Sequence, residues 1–554
     1  MTMDVQALRA AAGTITFIPE HYELVMEDNT PKGFDEKERT FIWEDPHSEN
    51  SRIEVSLSLE TGKLMRLQIS QERDDTIWGS AIEAGRTTEQ AADIAKTFMI
   101  RHHPNYAALT WIRSEIKRNY VEIEFRAEAG GLPLPRSGCE IRLDADFNIV
   151  LYKAEEFPGM ELPVWPDRLV SAEAAKQRIL QDMEMQPIIT TLYPSIYDME
   201  GEEDQHRLVY EPIQGRRKID AVTGEPLHNL QHDLLPPTVP ITPADPGNLN
   251  NVYPVKPVLP SRTGTEHSSS DEDSDLIPFW EAQLGIDTER YVLDKPRGDD
   301  QNLILLYFDK SDMNEDEADQ SATDPLSVDR YFERRWGKTL RNLQAAYMIH
   351  IDKATGSLEA YHYKPESSGG EAVLTREQCW DRAERFLRRF FPSYAKYLRL
   401  EVKWDLEAGI TDSEQEGEEG EAEPRDREFF HLPLYIDQYR VRLERVNICV
   451  STITGEVLLY RSVSYEKIRE LEACGFKAAI SASSALARYA EQLDVSLRWY
   501  MDGDDGTAHY RLIYDPVYKR RAKTGVSVSE YLLEFIDAVS GELIWSKLRA
   551  IERC

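Results

Sequence analysis

Two distant stretches of this chain are versions of one another. Laid without gaps at an offset of 288 residues, TTEQAADIAKTFMIRHHPNY (87–106) and TREQCWDRAERFLRRFFPSY (375–394) agree at nine of twenty positions. The matches are Thr87/Thr375, Glu89/Glu377, Gln90/Gln378, Asp93/Asp381, Ala95/Ala383, Phe98/Phe386, Arg101/Arg389, Pro104/Pro392 and Tyr106/Tyr394. A chain that repeats itself is built from modules that bury their apolar faces against neighbouring copies. Each stretch predicts one amphipathic helix. Thr87 or Thr375 is placed to cap it, Ala91, Ile94, Ala95 and Phe98 fall on one face, and the proline ends it.

A second correspondence marks the end of each half. LVYEP (208–212) leads to KIDAVTGEPL (218–227), and LIYDP (512–516) leads to FIDAVSGELI (535–544), with a longer connection in the second copy. Extra length of this kind belongs in a surface loop. The third recurring piece is a strand, a tight turn and a strand: SLETGKL (58–64), IDAVTGEP (219–226), IDKATGSL (351–358), STITGEV (451–457) and IDAVSGEL (536–543). LDADFNIV (143–150) stands as a degenerate sixth. Glycine supplies positive φ in the turn, the preceding Thr or Ser bonds locally, and β-branched or apolar residues flank it. Val121, Ile123 and Phe125 alternate with Glu122, Glu124 and Arg126, the two-residue period of a half-buried strand.

With helices expected at 87–103, 171–183, 375–391 and 480–493, the pattern predicts an α+β protein. It consists of six degenerate helix-plus-hairpin units in two triplets. The expected boundaries are an N-terminal triplet over 1–231, a linker over 232–275 and a C-terminal triplet over 276–554. The linker is rich in Pro, Ser and acid, and holds too little periodic apolar sequence to build a core.

The helix starts (Ser171, Glu173, Ala174; Thr375, Glu377), the Tyr-x-Pro steps and the Ile-Asp-Ala-x-Thr/Ser-Gly-Glu hairpins together resemble the YcdB/YcdC-type repeat of Gram-positive bacteria, which is similar to the PepSY domain. The resemblance covers most of 80–230 and 370–550, and more weakly 13–70 and 278–363. It implies tandem PepSY-like units, each a helix packed on a small antiparallel sheet. It also implies a protein that binds or restrains other proteins, with no specific activity attached to the repeat itself. Many relatives look exported, whereas the N-terminus here has no basic region, apolar core or cleavage pattern, so the cytoplasm is the expected compartment.

Among 554 residues there are 65 Lys+Arg and 99 Asp+Glu, a net charge of −34. Nucleic acid and anionic membrane surfaces both require a cationic footprint and are not expected partners. Half of the excess sits in three short segments, 271–275, 309–324 and 412–428, read as linker or solvated loops. No apolar run approaches a spanning helix. Cys139, Cys379, Cys449, Cys474 and Cys554 are odd in number and widely separated, which predicts isolated thiols and neither a disulfide framework nor a zinc site.

Chemistry is sparse. No phosphate loop, dinucleotide fingerprint, zinc-protease helix, nucleophile elbow or Cys-x-x-Cys occurs in a usable context. His102 and His103 align with Phe390 and Phe391, which points to packing. Asp144, Asp146, Asn148 and Glu155 stand at calcium-loop spacing, but Ile149 occupies the place that needs glycine, and the string falls where a hairpin turn belongs. DGDDG (502–506) reads as a turn. Glu89 and Glu377 suit a helix first turn through capping and the dipole. Trp78, Trp111, Trp165, Trp280, Trp336, Trp380, Trp404, Trp499 and Trp545 are expected to supply core area, the alternative being an exposed strip for an extended peptide.

The sequence therefore nominates no catalytic residue, cofactor or metal site. The leading expectation is a non-enzymatic binding or regulatory protein with a protein or extended-peptide partner. A scaffold component, or an enzyme with its site in the cleft between the halves, are the alternatives. Oligomeric state is left open.

Overall fold

The computed structural model describes the chain except residues 1–3, 33–35, 49, 71–85, 104, 118–119, 156–161, 182, 214–216, 228–235, 243–268, 300, 312–323, 333, 336–344, 366–372, 403–425, 503–508, 519–531 and 547–554. The architecture is α+β, with helices laid on sheets whose pairings, among the described residues, are antiparallel at all but one contact.

The chain opens with α1 (Val5–Ala12) followed by β1 (Glu23–Lys32), β2 (Glu36–Glu44), β3 (Arg52–Ser58) and β4 (Leu64–Ser70). The same order recurs as α2 (Arg86–His102), β5 (Trp111–Ile116), β6 (Val121–Ala129), β7 (Leu132–Leu143) and β8 (Ile149–Glu155). The two meanders fuse through their last strands into one eight-stranded sheet, β1-β2-β3-β4-β8-β7-β6-β5. Arg66 lies opposite Lys153 and Gln68 opposite Leu151 at the joint. Along β6, Val121, Ile123 and Phe125 are buried and the intervening residues are half-exposed, as alternation requires. Ala91, Ala95 and Met99 on α2 complete that core.

A third group contains α3 (Ala172–Gln181), β9 (Glu184–Leu192), β10 (Gln205–Ile213) and the short β11 (Ile219–Asp220), and then β12 (Thr238–Pro240). The second half begins with α4 (Ser269–Leu284), β13 (Tyr291–Leu293), β14 (Arg297–Gly298), β15 (Asn302–Asp309), β16 (Tyr347–Asp352) and β17 (Leu358–Tyr363). Next come α5 (Arg376–Phe390), α6 (Tyr394–Tyr397), β18 (Arg399–Glu401), β19 (Arg427–Ile436), β20 (Tyr439–Ser451) and β21 (Val457–Arg461). The last group is α7 (Tyr465–Ala473), α8 (Ala482–Gln492), β22 (Leu493–Asp502), β23 (His509–Tyr518), β24 (Leu532–Asp537) and β25 (Leu543–Ser546). Again two groups fuse through their last strands, here β17 and β21, repeating the β4–β8 joint.

Thr375 caps α5 as expected, but Gln378 rather than Glu377 closes the capping box, its side chain accepting from the Thr375 amide at 2.9 Å. Thr87 lies inside the first turn of α2, which starts one residue earlier. The acidic run 271–275 is also helical, forming the first turns of α4 and not the end of a linker. Helices α1 and α7 carried no sequence expectation.

The recurring turn has a common chemistry. In five copies a Ser or Asp opens it, and its backbone carbonyl accepts from the glycine four residues on: Ser58/Gly62, Asp220/Gly224, Asp352/Gly356, Ser451/Gly455 and Asp537/Gly541. The opening side chain also accepts from amides two or three residues ahead, as Asp220 Oδ1 does from Val222 and Thr223, both at 2.8 Å. Each of these glycines has positive φ.

The third and last groups exchange strands. β10 does not pair with β11. It pairs with β24 of the other half, Val209 opposite Asp537 and Tyr210 opposite Ile536. Reciprocally, β23 pairs with β11, Ile513 opposite Asp220 and Tyr514 opposite Ile219. The 12-stranded sheet consequently runs β13-β15-β16-β17-β21-β20-β9-β10-β24-β25, with β14 on β15 and β19 on β20, and draws strands from both halves. A three-stranded sheet, β11-β23-β22, does the same. β20 meets β9 in the parallel contact.

Candidate functional site

The residues singled out for chemistry resolve into structural roles. His103 is buried, with Nε2 3.2 Å from the Gly138 carbonyl and Nδ1 accepting from the Asn105 amide at 3.2 Å. Both ring nitrogens are thereby engaged. His102 packs its ring 4.3 Å from Phe98, and burial, aided by Arg101, pushes its pKa down. Asp144 Oδ1 accepts from the amides of Asp146 and Asn148, and Oδ2 from the Asn148 side chain, so the calcium-like string is a hairpin turn. Glu155 faces Lys153 and Arg126 instead.

Asp502 pairs with Arg511 at 3.1 Å, while 503–508 lie outside the described residues. Among the described residues no cluster of His, Cys, Asp and Glu could hold a metal ion. Cys139, Cys379 and Cys449 are buried free thiols, and desolvation raises Cys449 to about 11. Trp280, Trp499 and Trp545 are buried in the core, Trp165 is exposed, and Trp78, Trp336 and Trp404 lie outside the described residues.

What the structure assembles instead is a groove and an open strand edge that meet at one turn. The groove, about 710 Å³, lies at the central joint of the eight-stranded sheet, where the end of β4 meets the start of β8. Leu67 and Ile69 on β4, Phe147 and Ile149 at the β7–β8 turn, and Ile94 and Phe98 on α2 form its apolar wall. Phe17, which is 81% exposed, overhangs it, and Tyr120 lies at its far end. Ile94 and Phe98 belong to the apolar face legible in the α2 sequence. Phe17 and Tyr120 carried no such signal, because each lies in a connection with no periodicity.

Tyr120 also closes the β5–β6 hairpin, its carbonyl accepting from Lys117 at 2.8 Å. Since hydrogen-bonded and non-bonded pairs alternate in an antiparallel ladder, Glu115 and Arg113 turn their amides towards β6, and Ile112, Ser114 and Ile116 turn theirs outward. Among the described residues no group pairs with these three. Ile112 is 47% exposed.

Two other outer edges, β1 and β25, have partners. On β1, the Glu27 amide donates to the Leu326 carbonyl at 2.8 Å, and Asp28 accepts from the Val328 amide. On β25, the Trp545 carbonyl accepts from Asp198 at 2.8 Å.

The two faces of β5 differ. Ile112, Ser114 and Ile116 register with Phe125, Ile123 and Val121 on the core side. On the opposite face Glu115 lies between Arg113 and Lys117, beside a band containing Glu122, Arg142 and Glu140. Burial raises the pKa of Glu140, with Arg142 pulling the other way.

A family model described as the YcdB, YcdC repeated domain matches residues 5–156 and 315–464. The first match runs from α1 to the end of β8, spanning the whole eight-stranded sheet. The chain is 27% identical over 548 residues to the uncharacterized protein YcdB of Bacillus subtilis (strain 168), covering 98% of each. It is 24% identical over 519 residues to the uncharacterized protein YcdC of the same organism, covering 92% of this chain and 96% of that one. Among solved structures, the Bacillus megaterium YpeB C-terminal domain aligns at 14% identity with a TM-score of 0.25, covering 41% of this chain and 96% of that domain. No helix among the described residues is long and apolar enough to cross a membrane.

Proposed function

The chain belongs to the family of the YcdB, YcdC repeated domain, and from that premise we propose that it is a non-enzymatic binding protein that takes an extended polypeptide segment as an added strand on β5. The observation that carries this reading is the unpaired outward edge at Ile112, Ser114 and Ile116 in a sheet whose other edge is covered. Strand addition draws affinity from main-chain hydrogen bonds and specificity from alternate side chains. A strand laid here would set one row of side chains beside Ile112 and Ile116 and the other beside Arg113, Glu115 and Lys117. The favoured ligand therefore alternates apolar residues with charged ones, acidic beside Arg113 and Lys117 and basic beside Glu115. Its chain would continue past the Lys117–Tyr120 turn into the apolar groove.

The test is selection from a displayed library of random linear peptides, followed by binding of the enriched peptides to the full chain and to Ser114→Pro. Proline at 114 removes an outward amide without touching the β5–β6 ladder. Enriched peptides with alternating apolar and charged residues that lose at least tenfold in affinity for Ser114→Pro are expected. No enrichment, or equal binding to both proteins, overturns the proposal.

A further inference from the structure

We propose that the exchanged strands form a self-complementary association surface, by which each half of the chain takes the other half as its partner whether or not the two are covalently joined. Four reciprocal observations carry this. Tyr210 lies opposite Ile536 just as Tyr514 lies opposite Ile219, and these are equivalent positions in the two copies of the Leu-x-Tyr-x-Pro and Ile-Asp-Ala-Val motifs. The backbone repeats the relation: the Ala538 amide donates to the Leu208 carbonyl at 3.0 Å, and the Ala221 amide to the Leu512 carbonyl at 2.9 Å.

Each helix stays with its own hairpin turn, Val170 before α3 donating to Ala221 and Ile480 before α8 donating to Ala538. The helices nevertheless lie on the exchanged strands, α8 on β9 and β10, and α3 on β22 and β23. An isologous arrangement of this kind is how a two-fold dimer is built, here from two segments of one chain.

The surface between the halves combines an apolar cluster with ion pairs. Ile188, Leu192, Tyr197 and Val209 from the first half form one buried cluster with Phe535 and Ile544 from the second. Arg442 on β20 bridges the seam, 3.3 Å from Glu211 on β10 and 3.6 Å from Glu534 on β24, with its guanidinium 4.8 Å from the Phe535 ring centre. Each half supplies strands that the other's sheet lacks, so separating them would expose apolar area and unpaired ladders in both.

Why the exchange occurs here and not in the other groups follows from the connections. β6–β7 and β19–β20 are joined by tight turns at Gly130–Gly131 and Asp437–Gln438 that hold neighbouring strands together. β10 and β23 carry Pro212 and Pro516 near their ends and are followed by connections of five and thirteen residues in sequence, longer than those two-residue turns, which lets the following strand pair elsewhere.

The experiment uses the full chain carrying a protease recognition sequence within 250–260, in a Cys474→Ser, Cys554→Ser background. After cleavage both fragments are expected to elute together at the mass of the intact chain. With Val209→Cys and Asp537→Cys added, the cleaved protein should run at full mass on a non-reducing gel after mild oxidation, because those two residues face each other across the exchange. Separate elution of the halves overturns the association. Co-elution with no cross-link overturns the exchanged strands as its cause.

Discussion

The Tyr210 hydroxyl donates to the Ile480 carbonyl at 2.8 Å, across 270 positions of sequence. Its equivalent, Tyr514, donates to the Val170 carbonyl at 2.8 Å, across 344 positions. Both acceptors sit one residue before the Ser that caps a helix, Ser481 for α8 and Ser171 for α3. A strand of one half is thus fastened to the helix start of the other, twice. Tyr210→Phe and Tyr514→Phe should each lower stability by about 1 kcal/mol, the usual net worth of such a bond. The double variant should lose close to the sum. Urea unfolding of the three variants checks this, and a loss well below half that figure would refute it.

Gly138 sits in β7 with φ +121°, and a Cβ there would lie 2.0 Å from the carbonyl oxygen of Phe125 on the neighbouring strand. Backbone cannot move aside as a side chain can. Gly131 also has positive φ, +83°, but a Cβ there meets nothing within 4 Å. Gly131→Ala should therefore cost about 1 kcal/mol from backbone conformation alone, and Gly138→Ala distinctly more, about 3 kcal/mol or above. Equal thermal shifts for the two variants would contradict this.

Leu443 lies in a bulge of β20 with φ +65°, and is 90% exposed. A left-handed leucine costs roughly 1–2 kcal/mol, and glycine removes that at an unfolded-state penalty of roughly 0.5–1 kcal/mol. Since no buried contact is lost, Leu443→Gly should raise the urea midpoint, by up to about 1 kcal/mol of stability. Arg136, at φ +50° in the matching bulge of β7, is placed for the same response. A lowered midpoint would show that Leu443 makes a stabilising contact.

Asp309 is held down to about 2 by the hydroxyl and amide of Ser311 and by Arg290, whose Nε lies 2.7 Å away. Its unfolded value is about 3.9. The stability it contributes is fully present above that value and is lost as pH falls towards 2, because the unfolded chain takes up the proton first.

Tyr197, raised to about 12 by burial and by Glu534, behaves oppositely: its contribution is intact below pH of about 10 and is lost as pH rises towards 12. Asp309→Asn should flatten the acid limb of a stability–pH curve, and Tyr197→Phe the alkaline one. Unchanged limbs in both variants would sink this assignment.

Much of the local structure was legible because its causes span only a few residues. The Asp220–Gly224 and Asp537–Gly541 turns close through bonds four positions apart, and Thr375 finds Gln378 three positions on. What the turn motif hid was the role of the opening Asp or Ser, whose side chain, together with the Thr or Ser before glycine, secures the turn. The groove and the β5 edge were not legible. Whether Ser114 has a neighbour on its outer side depends on where every other strand goes, and nothing in WIRSEI records it.

The duplicated sequence by itself determined that helices and hairpins recur, that five of the turns close on glycine, and which face of β6 is buried. It could not determine which copy pairs with which. Tyr210 meets an Ile-Asp-Ala-Val segment whether it turns to Ile219 in its own half or to Ile536 in the other, and the pairing chemistry is the same either way. Only the tertiary structure chose, through Arg442, Tyr197 and Phe535, which close the seam once the strands have crossed.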